Sequence, residues 1–144
     1  MPRRSILLLL AGLLLAAAPG QRNGLKDLQG TWTVVSVERD GKMVPPEKLQ
    51  GWTWTVQGDK YTFQPGDQSI EGTYRLDQRR KPWTIEATRT NGPEKGTTLM
   101  GIYRQEGDTL TICFSPAGKT ERPSHFASPP GSGLALYVLK RAQP

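Results

Sequence analysis

Cysteine and histidine are almost absent from this chain of 144 residues, which holds one of each, Cys113 and His125. A single cysteine excludes an internal disulfide, so a packed core must hold the domain together. One histidine and one cysteine cannot build the usual zinc sets of those residues. No Asp-rich loop has calcium-binding spacing. No glycine-rich phosphate loop follows a strand and opens a helix, and no Gly-x-Ser-x-Gly elbow presents a serine. Strong charge is lacking too. Lys and Arg number 19 against 13 Asp and Glu, a formal net charge of +6. Arg79-Arg80-Lys81 is the one basic cluster and reads as a solvated hairpin loop. Without a basic stripe and interleaved aromatics, no nucleic-acid partner is expected.

The one long apolar run lies at the start. Arg3 and Arg4 form a basic n-region, Ile6 to Leu15 an apolar h-region, and Ala16-Ala17-Ala18 the small residues of a cleavage site. From Ile6 to Ala18 the run is shorter than the roughly 20 residues of a membrane span. Residues 1–20 are therefore expected to be a signal peptide cleaved between Ala18 and Gln21, with a retained anchor as the competing reading. This predicts a secreted or periplasmic protein, without a membrane span after cleavage, whose single domain covers 21–144. Loss of Arg3 and Arg4 lowers the charge from +6 to +4. The remainder is long enough for one core and too short for two.

Beyond the leader, Leu25 and Leu28 share one side of a short helical spacing that could close the end of a barrel. Eight segments then read as strands, roughly 31–38, 52–57, 60–64, 69–76, 83–90, 97–104, 109–114 and 134–140. Several alternate with period two. Trp52, Trp54 and Val56 oppose Thr53 and Thr55. Trp83, Ile85 and Ala87 oppose Thr84, Glu86 and Thr88. Leu110, Ile112 and Phe114 oppose Thr109, Thr111 and Cys113. This pattern predicts antiparallel sheet with one wet face. Gly58-Asp59, Pro65-Gly66-Asp67, Asn91-Gly92-Pro93 and Gly107-Asp108 supply turn chemistry, and short connections make successive strands neighbours in an up-and-down meander. Two connections are longer. Residues 40–51 contain Pro45-Pro46-Glu47-Lys48-Leu49, which predicts a short helical turn near 45–49 able to lid a barrel mouth. Residues 115–133 are rich in proline and glycine and hold His125.

Gly30-Thr31-Trp32 opens the first strand and Arg141 closes the last, a pattern that resembles a lipocalin-type barrel. In that resemblance Gly30, Trp32 and Arg141 are structural: the indole plugs one end and the guanidinium lies across it. Leu28-Gln29-Gly30-Thr31-Trp32, Gly72-Thr73-Tyr74-Arg75-Leu76-Asp77, Gly107-Asp108-Thr109-Leu110, Pro116-Ala117-Gly118-Lys119 and Leu139-Lys140-Arg141 together are similar to the small secreted lipocalin-like domains of planctomycete bacteria. The resemblance implies an all-β, antiparallel, eight-stranded calycin-like barrel. It implies no reaction, because that family is functionally uncharacterised. Ordinary lipocalins carry a helix after the last strand, and here three residues follow Arg141, so no particular ligand class is carried over.

Catalytic readings find little support. Ser124 and His125 are adjacent, so in an extended segment their side chains point apart. Glu71 and Glu86 take the outward phase of their strands and do not face each other across a cleft. No enzyme activity and no cofactor or metal are expected. The barrel interior remains, with Trp54, Tyr74, Tyr103 and Phe114 as candidate ligand-binding residues. Two functions stay open. The first is a monomeric carrier of a small apolar or amphipathic molecule. The second is a filled barrel that binds protein or an envelope polymer through its exterior and loops. A cavity of roughly 300 Å³ or more with an open mouth would favour the carrier.

Overall fold

Period-two patterning and glycine-rich turns produce eight long strands and one short one. The computed structural model describes residues 21–142; the signal segment expected over 1–20 lies outside the described residues. In order come helix α1 (Gln21–Leu28), β1 (Gly30–Arg39), β2 (Lys42–Met43), a 3-10 turn (Pro46–Leu49), β3 (Thr53–Gln57), β4 (Lys60–Gln64), β5 (Ile70–Asp77), β6 (Trp83–Arg89), β7 (Thr98–Glu106), β8 (Thr109–Phe114) and β9 (Ala135–Arg141). From β3 to β9 each strand pairs antiparallel with the next. β1 pairs with β3 on one side and β9 on the other. The result is a closed eight-stranded antiparallel barrel, the predicted fold. Closure leaves no long unpaired edge. β2, absent from the sequence reading, adds only the pairs Glu38↔Met43 and Arg39↔Lys42 at the rim.

Strand direction defines two ends. β1 starts at the α1 end and finishes at the mouth, so Trp32 lies low and Arg39 high. The β1–β9 register shifts between Val34 and Ser36. The extra residue is Val35, an exposed hydrophobe (41 %), and such a bulge changes which residues face inward. Trp32, Val34 and Val37 are consequently all buried although they do not alternate strictly.

The outer face departs from expectation along β7 and β8. Thr111, predicted to face water, is buried together with Cys113 and Ile102. The connection after β8 lies across them. Arg122 of that strap donates to the carbonyls of Ile85 (2.9 Å) and Gly101 (3.0 Å) and to Glu86 Oε1 (2.6 Å). The Cys113 thiol donates to Ala127 O at 3.4 Å, and Arg104 lies 4.6 Å from the Phe126 ring centroid. Burial pushes the Cys113 thiol pKa up, which opposes thiolate reactivity.

Gly72 shows how tightly the wall packs. A Cβ there would collide with the Thr88 carbonyl and lie 2.5 Å from the Tyr61 ring. Backbone on one side and a buried ring on the other leave little room to yield. Gly72→Ala is expected to destabilise by about 1–3 kcal/mol in urea unfolding; a loss below about 0.5 kcal/mol would show that the wall relaxes freely.

Candidate functional site

The closed end is built around α1. An α-helix leaves its last carbonyls without internal partners, and here the barrel supplies them. Trp32 Nε1 donates to Leu28 O at 2.9 Å. Arg141 donates through Nη1 to Gln29 O and through Nη2 to Asp27 O, both at 2.7 Å. Its guanidinium carbon lies 4.3 Å from the Trp32 ring centroid, and its Nε is 3.4 Å from Asp108 Oδ1. A cation at a helix C-terminus also meets the negative end of the helix dipole. Gly30 takes a φ of +110°, which side chains other than glycine rarely adopt, and this turns the chain into β1 beside the guanidinium. The Gln29 amide completes the seal, donating to Gly58 O and accepting from Gly58 N. Trp32 and Leu28 are fully buried, so this end is a plug.

Above the plug the middle of the barrel is filled with aromatic rings. Tyr74 stands 6.0 Å from Trp54 and 6.2 Å from Tyr61, centroid to centroid. Tyr103 packs 5.6 Å from Trp83, and its hydroxyl accepts from Gln78 Nε2 at 2.8 Å. The Tyr74 hydroxyl is buried without a hydrogen-bond partner among the described residues. Burial first, then Asp59 and Tyr103, push the Tyr74 phenol pKa well up. Burial pushes Tyr103 up to about 12, against a hydrogen bond from Gln78 that lowers it.

The other end is hollow. A cavity of about 200 Å³ opens there. Trp54, Ile112 and Leu139 line it together with Phe63, Ile70, Leu99, Phe114 and Tyr137, and Arg39, Arg89 and Glu94 contribute charge. Two of the four predicted ligand-binding residues, Trp54 and Phe114, line this cavity. Tyr74 and Tyr103 do not, since they fill the barrel between the cavity and the plug. The segment near 45–49 forms the expected turn, but its Leu49 joins the core and none of its residues lines the cavity. Glu94, Thr97 and Ala117 border it instead.

Sequence reasoning missed Arg39 and Arg89. The signal for Arg89 was there: the inward series Trp83, Ile85, Ala87 reaches Arg89 by one more step of two. The bulge at Val35 hides the equivalent reading for Arg39. Candidates for catalysis stay apart. Ser124 and His125 are exposed on the strap, and Glu71 is exposed on β5. Glu86 is held by Arg122 on the outer face. Among the described residues, no group of three or more His, Cys, Asp or Glu could hold a metal ion, and no helix is long and apolar enough to cross a membrane. No family model matches the chain, and no curated protein or solved structure matches it.

Proposed function

We propose that this chain is a secreted or periplasmic, lipocalin-like binding protein whose barrel mouth takes one small amphipathic molecule and performs no reaction on it. The observation that carries this reading is the apolar cavity of about 200 Å³ at the end opposite the plug. That volume falls short of the roughly 300 Å³ expected of a carrier, because Tyr74 and Tyr103 occupy the space beneath, and this narrows the reading to a smaller ligand. An apolar cavity of about 150 Å³ accepts benzene. The cavity therefore suits a ligand of one aromatic ring or a short acyl chain. The runner-up is envelope or protein binding through the exterior. It is favoured by the same filled middle, which shows that most of this barrel is core.

Titration with phenethyl alcohol, followed by NMR shifts of cavity residues, tests the choice. Wild type is expected to bind. Ala87→Leu adds bulk to the cavity lining and is expected to weaken binding by about tenfold or more, by steric exclusion from a small site. No binding by wild type, or no loss in Ala87→Leu, favours the exterior-binding reading. Native mass spectrometry of protein purified from its own envelope would then identify any retained molecule.

A further inference from the structure

Charged residues rarely take the inward phase of a small barrel unless something pairs with them. Here two arginines do so, both in the top layer. Arg89 ends the inward series of β6, and Arg39 lies two residues beyond the inward Val37 on β1. In the closed ring β1 and β6 are four strands apart in either direction. The two guanidinium groups therefore rise from opposite walls of one apolar cavity.

The charge of Arg89 is the one left incompletely matched. Arg39 is exposed, so water shares its charge, and its Nη2 donates to the Tyr137 hydroxyl at 2.8 Å. Arg89 Nη1 donates to Glu94 Oε2 at 2.8 Å. Glu94 is 65 % exposed and Arg89 only 20 %, so the carboxylate of this pair is largely solvated and the cation largely is not. Arg89 Nε is buried without a hydrogen-bond partner, which is costly for a charged donor. Among the residues that line the cavity, these two arginines face one carboxylate, Glu94.

We infer that the mouth selects a small carboxylate amphiphile, with its apolar body in the cavity and its carboxylate at the rim against Arg89, with Arg39 adding charge from the facing wall. A planar carboxylate fits the donor fork of arginine. Glu94 would occupy Arg89 in the free protein and yield it to the ligand, so it should oppose binding. The inference rests on the cavity being a ligand site, as proposed above.

The test compares phenylacetate with phenethyl alcohol, which share a ring and differ in charge, by calorimetric titration near neutral pH at low salt. Wild type is expected to prefer phenylacetate by about tenfold or more. Arg89→Gln should remove most of that preference, and Arg39→Gln should reduce it less. Glu94→Gln should tighten phenylacetate alone. Unchanged melting of Arg89→Gln would establish that it folds, and Arg39→Gln and Glu94→Gln test the same preference if it does not. Equal affinities in wild type, or a preference that survives Arg89→Gln and does not grow in Glu94→Gln, would overturn the carboxylate inference and leave the cavity reading intact. Failure of both ligands to bind wild type would overturn both.

Discussion

Trp32→Ala is expected to cost about 3–5 kcal/mol, the range for removing a fully buried large aromatic. The indole is 0 % exposed, so its removal opens a cavity under the plug. It also deletes the bond to Leu28 O and the surface on which Arg141 rests. Arg141→Ala should cost about 2–3 kcal/mol. A cation–π contact in a partly dry site contributes about 1–2 kcal/mol. The two bonds to the carbonyls of Asp27 and Gln29 add to it, discounted because the Arg141 side chain is 33 % exposed. Arg141→Lys keeps the charge but cannot span both carbonyls and the ring at once, so it should recover less than half of the loss. Urea unfolding of the two single variants and the double Ala variant gives the coupling, expected near 1 kcal/mol or more. A loss under about 0.5 kcal/mol in Arg141→Ala would show that the guanidinium merely rests on the plug.

Both ends of the barrel were legible in the sequence to different degrees. The closed end could be read because most of its parts are local, a short helix and then Gly-Thr-Trp, and the distant partner is an arginine that ends the last strand. The strands could be read because threonine and aromatic residues alternate and each break carries glycine, aspartate or asparagine at a turn. Three things resisted. The bulge at Val35 shifts the phase inside one strand, and no local rule marks it. The strap over β7 and β8 buries Thr111 and Ile102 on a face that period two assigns to water, because burial there comes from a segment distant in sequence. The inward arginines were passed over because charge was taken as a mark of the outer face. At the open rim of a barrel that rule is weak, since an inward side chain there can still reach water.

Stability should fall steeply as pH rises above about 10. Tyr103 is almost wholly buried, and burial raises its phenol from 10.0 to about 12. Burial also raises Tyr61 and Tyr74. In the unfolded chain these phenols ionise near pH 10. Above that the unfolded state holds fewer protons than the folded one, so stability falls as pH rises. The contribution is complete below pH 10 and is lost progressively toward the folded value. For Tyr103 the gap between 10.0 and about 12 corresponds to roughly 3 kcal/mol. Tyr61 and Tyr74 add losses of the same sign, and together these are a large share of the about 5–15 kcal/mol that holds a typical domain. Urea midpoints from neutral to about pH 12 would measure the decline, with phenolate absorbance appearing together with unfolding. Two variants separate the tyrosines. Tyr103→Phe should flatten the alkaline slope but cost about 0.5–1.5 kcal/mol at neutral pH, because Gln78 loses the hydroxyl that accepts its bond. Tyr74→Phe should also flatten the slope, yet be neutral or stabilising at neutral pH, because its buried hydroxyl has no partner to lose. A stability that stays level to about pH 11, or phenolate absorbance that rises well before unfolding, would mean that these rings are reached by water in the folded barrel and that the middle of the interior is not the dry core described above.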